Sequence, residues 1–186
     1  MSSMATKTLL TVEQFEQLPR EEARRFELDE GELVDVSGAI LLHNLSRDRF
    51  ARILHSFVQE HGLGVVVTEQ EFRLGVGIVR RPDVALVGAE NAGRLRVEKR
   101  IQDFAPDLVV EIASDSDTFT GLMRKVRQYL DNGVQMVLVV NLPLAEIHVF
   151  DRDGRSDLLR AGQTLGGVGV LPGFSCRVER FFDPGA

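Results

Sequence analysis

Two carboxylates stand at the ends of apolar strand-like runs, and a lysine follows them on a helical segment. The first is Glu111, the one charged residue in Leu108-Val109-Val110-Glu111-Ile112. A short branched apolar run that follows a proline and ends at Ser/Asp punctuation reads as a buried strand. An ionised carboxylate inside it is costly unless a cation, a partner charge or several hydrogen bonds offset its desolvation. The second is Asp83, which follows Pro82 at the head of Val84-Ala85-Leu86-Val87. If the two strands are neighbours, these carboxylates face each other, and like charges at that range repel unless a cation lies between them. Two hard oxygen donors on adjacent strands suit Mg²⁺ or Mn²⁺. The third is Lys125. From Thr118 onward Phe119, Leu122, Met123, Val126, Tyr129 and Leu130 keep the helical period, and Asn132-Gly133 end it. At about 100° per residue Lys125 lies beside Tyr129 on the flank of the apolar arc. Its stem can rest on the core while its ammonium turns toward the carboxylates.

Each residue also has a plainer reading. A Pro-Asp before a strand serves as a turn cap, and Glu111 with Lys125 forms a structural ion pair. Glu27, inside another strand, pairs with Arg24 or Arg25; His43 is a helix-start residue; Tyr129 lies at the edge of the core.

The elements that must position these side chains follow from periodicity and turn chemistry. Thr11-Val12-Glu13-Gln14 fits a capping box ahead of a short amphipathic helix ended by Pro19. Arg25-Phe26-Glu27-Leu28 and Glu32-Leu33-Val34-Asp35-Val36 flank Asp29-Glu30-Gly31, which predicts a β-hairpin. A long helix is expected from His43 to His61, with Leu45, Phe50, Ile53, Leu54, Phe57 and Val58 on one face and Arg47, Asp48, Arg49 and Arg52 on a solvated face. Gly64 to Glu71 reads as a strand, and 88–106 as an exposed loop or short helix near the site. Met136 to Val140 is an apolar strand, and Glu146 to Phe150 alternates as an edge strand does. A packing strand and a short helix close the chain between Leu171 and Phe182. The fold class is therefore α/β (α+β), a mixed β-sheet core flanked by helices, with an N-terminal helix and β-hairpin.

The chain of 186 residues is long enough for one domain with a full core. We expect residues 1–10 as a flexible N-terminus, 11–182 as a single domain and 183–186 as a tail. No apolar run approaches membrane-spanning length, and the N-terminus lacks a basic region followed by an apolar core, so the expected compartment is the cytoplasm. Cys176 is the one cysteine, which excludes an internal disulfide and a thiolate zinc site. A formal net charge of −6 argues against indiscriminate polyanion binding. The basic residues are nonetheless clustered, in Arg20 to Arg25, Arg47 to Arg52, Arg80-Arg81, Arg94 to Arg100 and Arg124 to Arg127, which leaves room for a local basic cleft.

The order Phe26-Glu27-Leu28-x-x-Gly31-Glu32-Leu33, His43, Pro82-Asp83-Val84, Val110-Glu111-Ile112-x-Ser114 and Lys125-x-x-x-Tyr129-x-x-x-Gly133-Val134 resembles the Uma-type family of "putative restriction endonucleases" (DUF820), a branch of the PD-(D/E)XK nuclease superfamily. The resemblance runs from about Thr11 to Phe182. It implies a restriction-endonuclease-like fold and hydrolysis of DNA phosphodiester bonds with Mg²⁺ or Mn²⁺. By it Asp83, Glu111 and the backbone carbonyl of Ile112 are metal ligands, Glu27 is an auxiliary carboxylate, Lys125 is the catalytic lysine, and His43 and Tyr129 line the site. The superfamily places its lysine two residues after the Glu, where Ala113 stands here, and the helix-borne Lys125 takes the matching role. Asp115 stands where family members carry Pro, and Leu138 and Asn141 stand where they carry an aromatic residue and an acid. A homodimer is expected, since cutting both strands of a duplex takes two sites. The alternative is a catalytically inactive nuclease-fold protein that binds nucleic acid or regulates.

Overall fold

Thr11 starts the first helix through the predicted capping box: its hydroxyl accepts from the Gln14 amide at 3.2 Å and the Gln14 side chain accepts from the Thr11 amide at 2.8 Å. The helix α1 spans Val12–Glu16, and a further single turn, α2 (Arg20–Ala23), follows Pro19. The hairpin then forms from β1 (Phe26–Asp29) and β2 (Glu32–Asp35). Its turn residues Glu30 and Gly31 have φ of 51° and 88°, the left-handed pair of a type I′ turn, which glycine adopts without a Cβ penalty. Next come α3 (Leu41–Glu60), β3 (Gly64–Thr68), β4 (Glu71–Gly75), β5 (Ile78–Arg80) and β6 (Val84–Gly88). After α4 (Ala89–Ala92) and β7 (Ile101–Gln102), β8 (Leu108–Ile112) leads through α5 (Phe119–Asp131) to β9 (Met136–Asn141). The chain ends in β10 (Glu146–Asp151), β11 (Ser156–Leu159), β12 (Thr164–Gly166), β13 (Ser175–Arg177) and a 3-10 turn over Val178–Phe181. The computed structural model describes residues 9–36, 40–167 and 169–183, so most of the expected flexible N-terminus and the tail beyond 183 lie outside the described residues.

The strands form two main sheets. The larger has the order β11-β10-β9-β8-β6-β3, and the smaller β2-β1-β5-β4-β7; β12 and β13 pair separately. In the larger sheet β8 and β9 are parallel because α5 carries the chain back between them, while β6 runs antiparallel to β8. All five residues of β8 are buried, which explains its nearly continuous apolar sequence. Leu108, Val110 and Ile112 join the core under α3 with Phe50, Leu54, Val84 and Leu86. The alternate residue Val109 joins Ala85, Val87, Val126 and Tyr129 in a second core, which also takes in Phe72 and Leu74 of the smaller sheet. The helix α5 is thus packed among residues of both sheets. A third cluster, Val12, Phe15, Leu28, Val79 and Ile101, seals the outer face of the smaller sheet against α1.

Several sequence expectations need correction. Gly64 to Glu71 is two strands, since the chain turns at Glu69 (φ 49°) and β4 joins the other sheet. The segment 88–106 is not simply exposed, because β7 pairs in parallel with β4 and buries Ile101 and Gln102. β10 is not an edge strand, as β11 covers it. Leu45 is 53% exposed and Phe119 77%. The buried ridge of α3 runs through Ser46, Phe50, Leu54 and Val58, four residues apart, and Leu45 is rotated off it. Phe119 sits in the first turn of α5, before that helix meets the core. Arg47 does not lie on a solvated face, since its side chain is 16% exposed and pairs with Glu69 at 2.8 Å.

Candidate functional site

The alternation that builds the core also delivers the site. Val84 is registered opposite Val110 and Ala85 opposite Val109. One further step of that antiparallel ladder sets Asp83 opposite Glu111. Both positions are odd-numbered, so both fall on the sheet face that carries Ala85 and Val109, the side of α5. Asp83 lies just before β6, and its carboxylate accepts from the Ile112 amide at 2.7 Å, which fixes it at the end of β8. From α5, Tyr129 donates to Glu111 Oε1 at 2.5 Å, and Lys125, one turn earlier, sets its Nζ 3.8 Å from Glu111 Oε2. Glu27 comes from the opposing sheet and meets the same ammonium at 3.1 Å. His43, in the first turn of α3, brings Nε2 to 3.2 Å from the Ile112 carbonyl and 3.4 Å from Asp83 Oδ2. Glu27, His43, Asp83, Glu111, Ile112 and Lys125 line one cavity of about 160 Å³, together with Val34, Asp35, Ser114, Ser116 and Asp117 among others.

Behind the cavity lies a buried ion network that the sequence reading missed. Arg80 is 2% exposed. It donates to Glu27 at 3.0 Å and to Gln128 at 3.0 and 2.5 Å, and stands 3.1 Å from Asp29. The Arg81 amide donates to the other Glu27 oxygen at 2.9 Å. Burial pushes the Glu27 carboxyl upward, but Lys125 and Arg80 outweigh it and hold Glu27 below its ordinary value. Glu111 has the opposite balance. Burial dominates, the Lys125 charge opposes it, and the neighbouring Glu27 and Asp83 charges add to it, so its carboxyl is pushed up to about 7. Lys125 is raised, because its two carboxylate partners more than offset its burial. Burial and the Glu111 charge raise Tyr129 well above a free phenol, so it stays a neutral donor. The hydrogen bond to Asp83 lifts His43 against its burial. Its Nδ1 is buried with no hydrogen-bond partner among the described residues.

The donor set fits a hard divalent cation. It consists of two carboxylates opposed across adjacent strands and the Ile112 carbonyl, which keeps a second lone pair beside the His43 contact. Burial, and after it the neighbouring Glu27 and Asp83 charges, raise the Glu111 carboxyl, and a cation beside it would offset both. Among the described residues, no three His, Cys, Asp or Glu side chains form a metal-holding group. Such a cation would keep several waters, as Mg²⁺ commonly does.

Every residue singled out from the sequence thus falls in or directly behind one cavity. Glu27 pairs with Arg80 and Lys125 and not with Arg24 or Arg25, and Tyr129 is wholly buried, not at the core edge. Arg80 and Gln128 escaped notice. The signal for Arg80 lies in Ile78-Val79-Arg80, where period-two alternation puts the arginine on the same face as Ile78, toward the core. A guanidinium there requires carboxylate partners.

The family described as "Putative restriction endonuclease" (Uma2) matches residues 12–179. Among solved structures, the chain is similar to a crystal structure from Anabaena variabilis described as "a putative nuclease belonging to DUF820". The TM-score is 0.82 at 17% sequence identity, covering 93% of this chain and 97% of that one. None of the curated proteins matches the sequence.

Proposed function

The chain belongs to the Uma2 family, and from that premise we propose that it is a metal-dependent endonuclease hydrolysing DNA phosphodiester bonds. The observation that carries this reading is the opposition of Asp83 and Glu111 at the ends of β6 and β8, with the Lys125 ammonium 3.8 Å from Glu111. Asp83, Glu111 and the Ile112 carbonyl would hold Mg²⁺ or Mn²⁺. A cation bound there supplies Lewis-acid polarisation of the phosphoryl oxygen and a water of lowered pKa.

The chain's own residues do the rest. Lys125, kept protonated by Glu27 and Glu111, faces the charge that develops on the phosphoryl oxygens and lowers the barrier electrostatically. Glu27 holds the ammonium in place and is itself held by Arg80 and the Arg81 amide. Tyr129 orients Glu111 through one hydrogen bond. His43 clamps the Asp83 carboxylate and the Ile112 carbonyl from the α3 side. A two-fold dimer would place two such sites on a duplex.

The test is incubation of purified protein with supercoiled and linear DNA and with single strands, in Mg²⁺, in Mn²⁺ and in EDTA. Cleavage that needs the divalent ion and disappears in Asp83→Asn and Glu111→Gln is the expected result. DNA left intact under every metal condition would refute the reading and favour a binding protein built on the same fold.

A further inference from the structure

Beside the carboxylate cavity lies a larger one of about 570 Å³, bounded by α2, the turn at Glu69-Gln70, Arg81 and the segment 97–100. Its walls carry Arg20, Arg24, Arg81, Lys99 and Arg100 in a chain whose net charge is −6. Arg100 is matched by Glu71 at 2.8 Å and Lys99 by Asp103 at 2.7 Å, while Glu69 is taken by Arg47. Arg20, Arg24 and Arg81 make no ion pair within 4 Å among the described residues; Glu71, already bound to Arg100, also acts on Arg81 at longer range, and Glu98 is the one lining carboxylate outside these pairs. Arginines held together without counter-charges repel one another, and an anion on the cleft would relieve that cost.

Arg81 joins the two cavities, since it and Glu69 line both. Its amide is fixed to Glu27 at 2.9 Å, and its guanidinium, bonded to the Arg24 carbonyl, projects into the basic cleft. Within four residues the chain sends Arg80 into the buried network, Arg81 to the cleft and Asp83 to the carboxylate pair.

We propose that this cleft binds the phosphate backbone of the DNA strand running away from the scissile bond, with Arg20, Arg24 and Arg81 as the contacting residues. This rests on the nuclease reading, since that reading brings the scissile phosphate to a cation held by Asp83 and Glu111. The cleft is open, polar and continuous with the site, as a polyanionic strand requires and as a discrete small metabolite does not. Contacts of this kind position the strand without reading sequence.

The experiment uses the full chain and the pair variant Arg20→Ala/Arg24→Ala, both exposed side chains outside the carboxylate cavity. Binding of a fluorescent duplex is measured by anisotropy in EDTA across a salt series. An equal charge change in the β10–β11 turn, Arg152→Ala/Arg155→Ala, serves as control. The expected result is a salt slope shallower by about two and an affinity lower by roughly tenfold per lost contact at about 0.1 M salt. The control should stay near wild type. Metal-dependent hydrolysis of bis(p-nitrophenyl) phosphate, too small to reach the cleft, should be unchanged in the pair variant. If wild type binds DNA and the pair variant binds it with the same slope and affinity, the proposal is overturned while the nuclease reading stands. If wild type neither binds DNA nor hydrolyses either substrate with any metal, both fall.

Discussion

Replacing Glu111 by Gln should change how the stability of the metal-free protein depends on pH. In the fold this carboxyl is pushed up to about 7 from 4.5, because burial and the Glu27 and Asp83 charges outweigh the opposing charge of Lys125. At about 1.4 kcal/mol per tenfold change in proton affinity, that difference corresponds to about 3 kcal/mol. The folded state holds a proton that the unfolded chain has already released between about pH 4.5 and 7. Unfolding free energy therefore falls as pH rises through that window, and the contribution of about 3 kcal/mol is fully lost above pH 7. A glutamine keeps the side chain's shape and can still accept from Tyr129, but it does not titrate. Urea unfolding followed by circular dichroism at pH 5 and pH 8, with chelator present, gives the comparison. Wild type should lose about 2.5 kcal/mol more than Glu111→Gln over this interval, since part of the contribution is already gone at pH 5, and that is roughly 5–10 °C in Tm for a chain of this size. Glu71 and His43, whose values are also raised, contribute to both proteins and cancel in the difference. Added Mg²⁺ should restore stability to wild type at pH 8, by about 2.7 kcal/mol at a hundredfold excess over its dissociation constant, and do much less for the variant. Parallel pH profiles for the two proteins would show that Glu111 carries no such strain, and the argument for a cation between the carboxylates would lose its electrostatic basis.

Arg80→Met should cost about 3–5 kcal/mol, because Glu27 and Asp29 lose the guanidinium buried against them. The double variant Arg80→Met/Glu27→Gln should recover part of that loss, and equal denaturation midpoints for single and double variants would contradict the pairing. Lys125→Met should lower the single-turnover rate of DNA cleavage by about 10²–10³-fold with duplex affinity in EDTA changed by less than a few-fold; a matching loss in affinity would reassign the lysine to binding. Gly31→Ala should destabilise by about 1–3 kcal/mol, since φ is +88° and the new Cβ would meet the Leu9 Cβ at 3.0 Å. Unchanged thermal unfolding would show that the hairpin turn relaxes.

The strands and helix that carry the site were legible because their patterns are local and strong. β8 and α5 announce themselves by an apolar run broken only at Glu111 and by helical periodicity, and odd-even alternation puts Asp83 and Glu111 on one face once β6 and β8 are adjacent in the observed register. What stayed hidden is non-local. Arg80 finds Glu27 53 residues away and Gln128 48 residues away, and the alternation of its three-residue strand, though it turns the arginine inward, says nothing of which partners meet it there. The division into two sheets was equally invisible, since Thr68 and Glu71 are separated only by a two-residue turn in which Glu69 adopts a positive φ. Leu45 and Phe119 fit the helical period, but periodicity says which residues align, not how far along the helix its neighbours extend.

The lysine beside Glu111 is borne by α5, whereas the carboxylates belong to hydrogen-bonded strands. The anionic and cationic halves of the centre therefore reach it from different elements, joined in sequence by the loop 113–118 and in space by the Tyr129–Glu111 hydrogen bond and the Val126–Val109 core. A substitution that shifts α5 along its axis would move the ammonium relative to a strand ladder whose own hydrogen bonds do not involve the helix. If the centre works as proposed, metal capture and charge stabilisation answer to different packing interfaces.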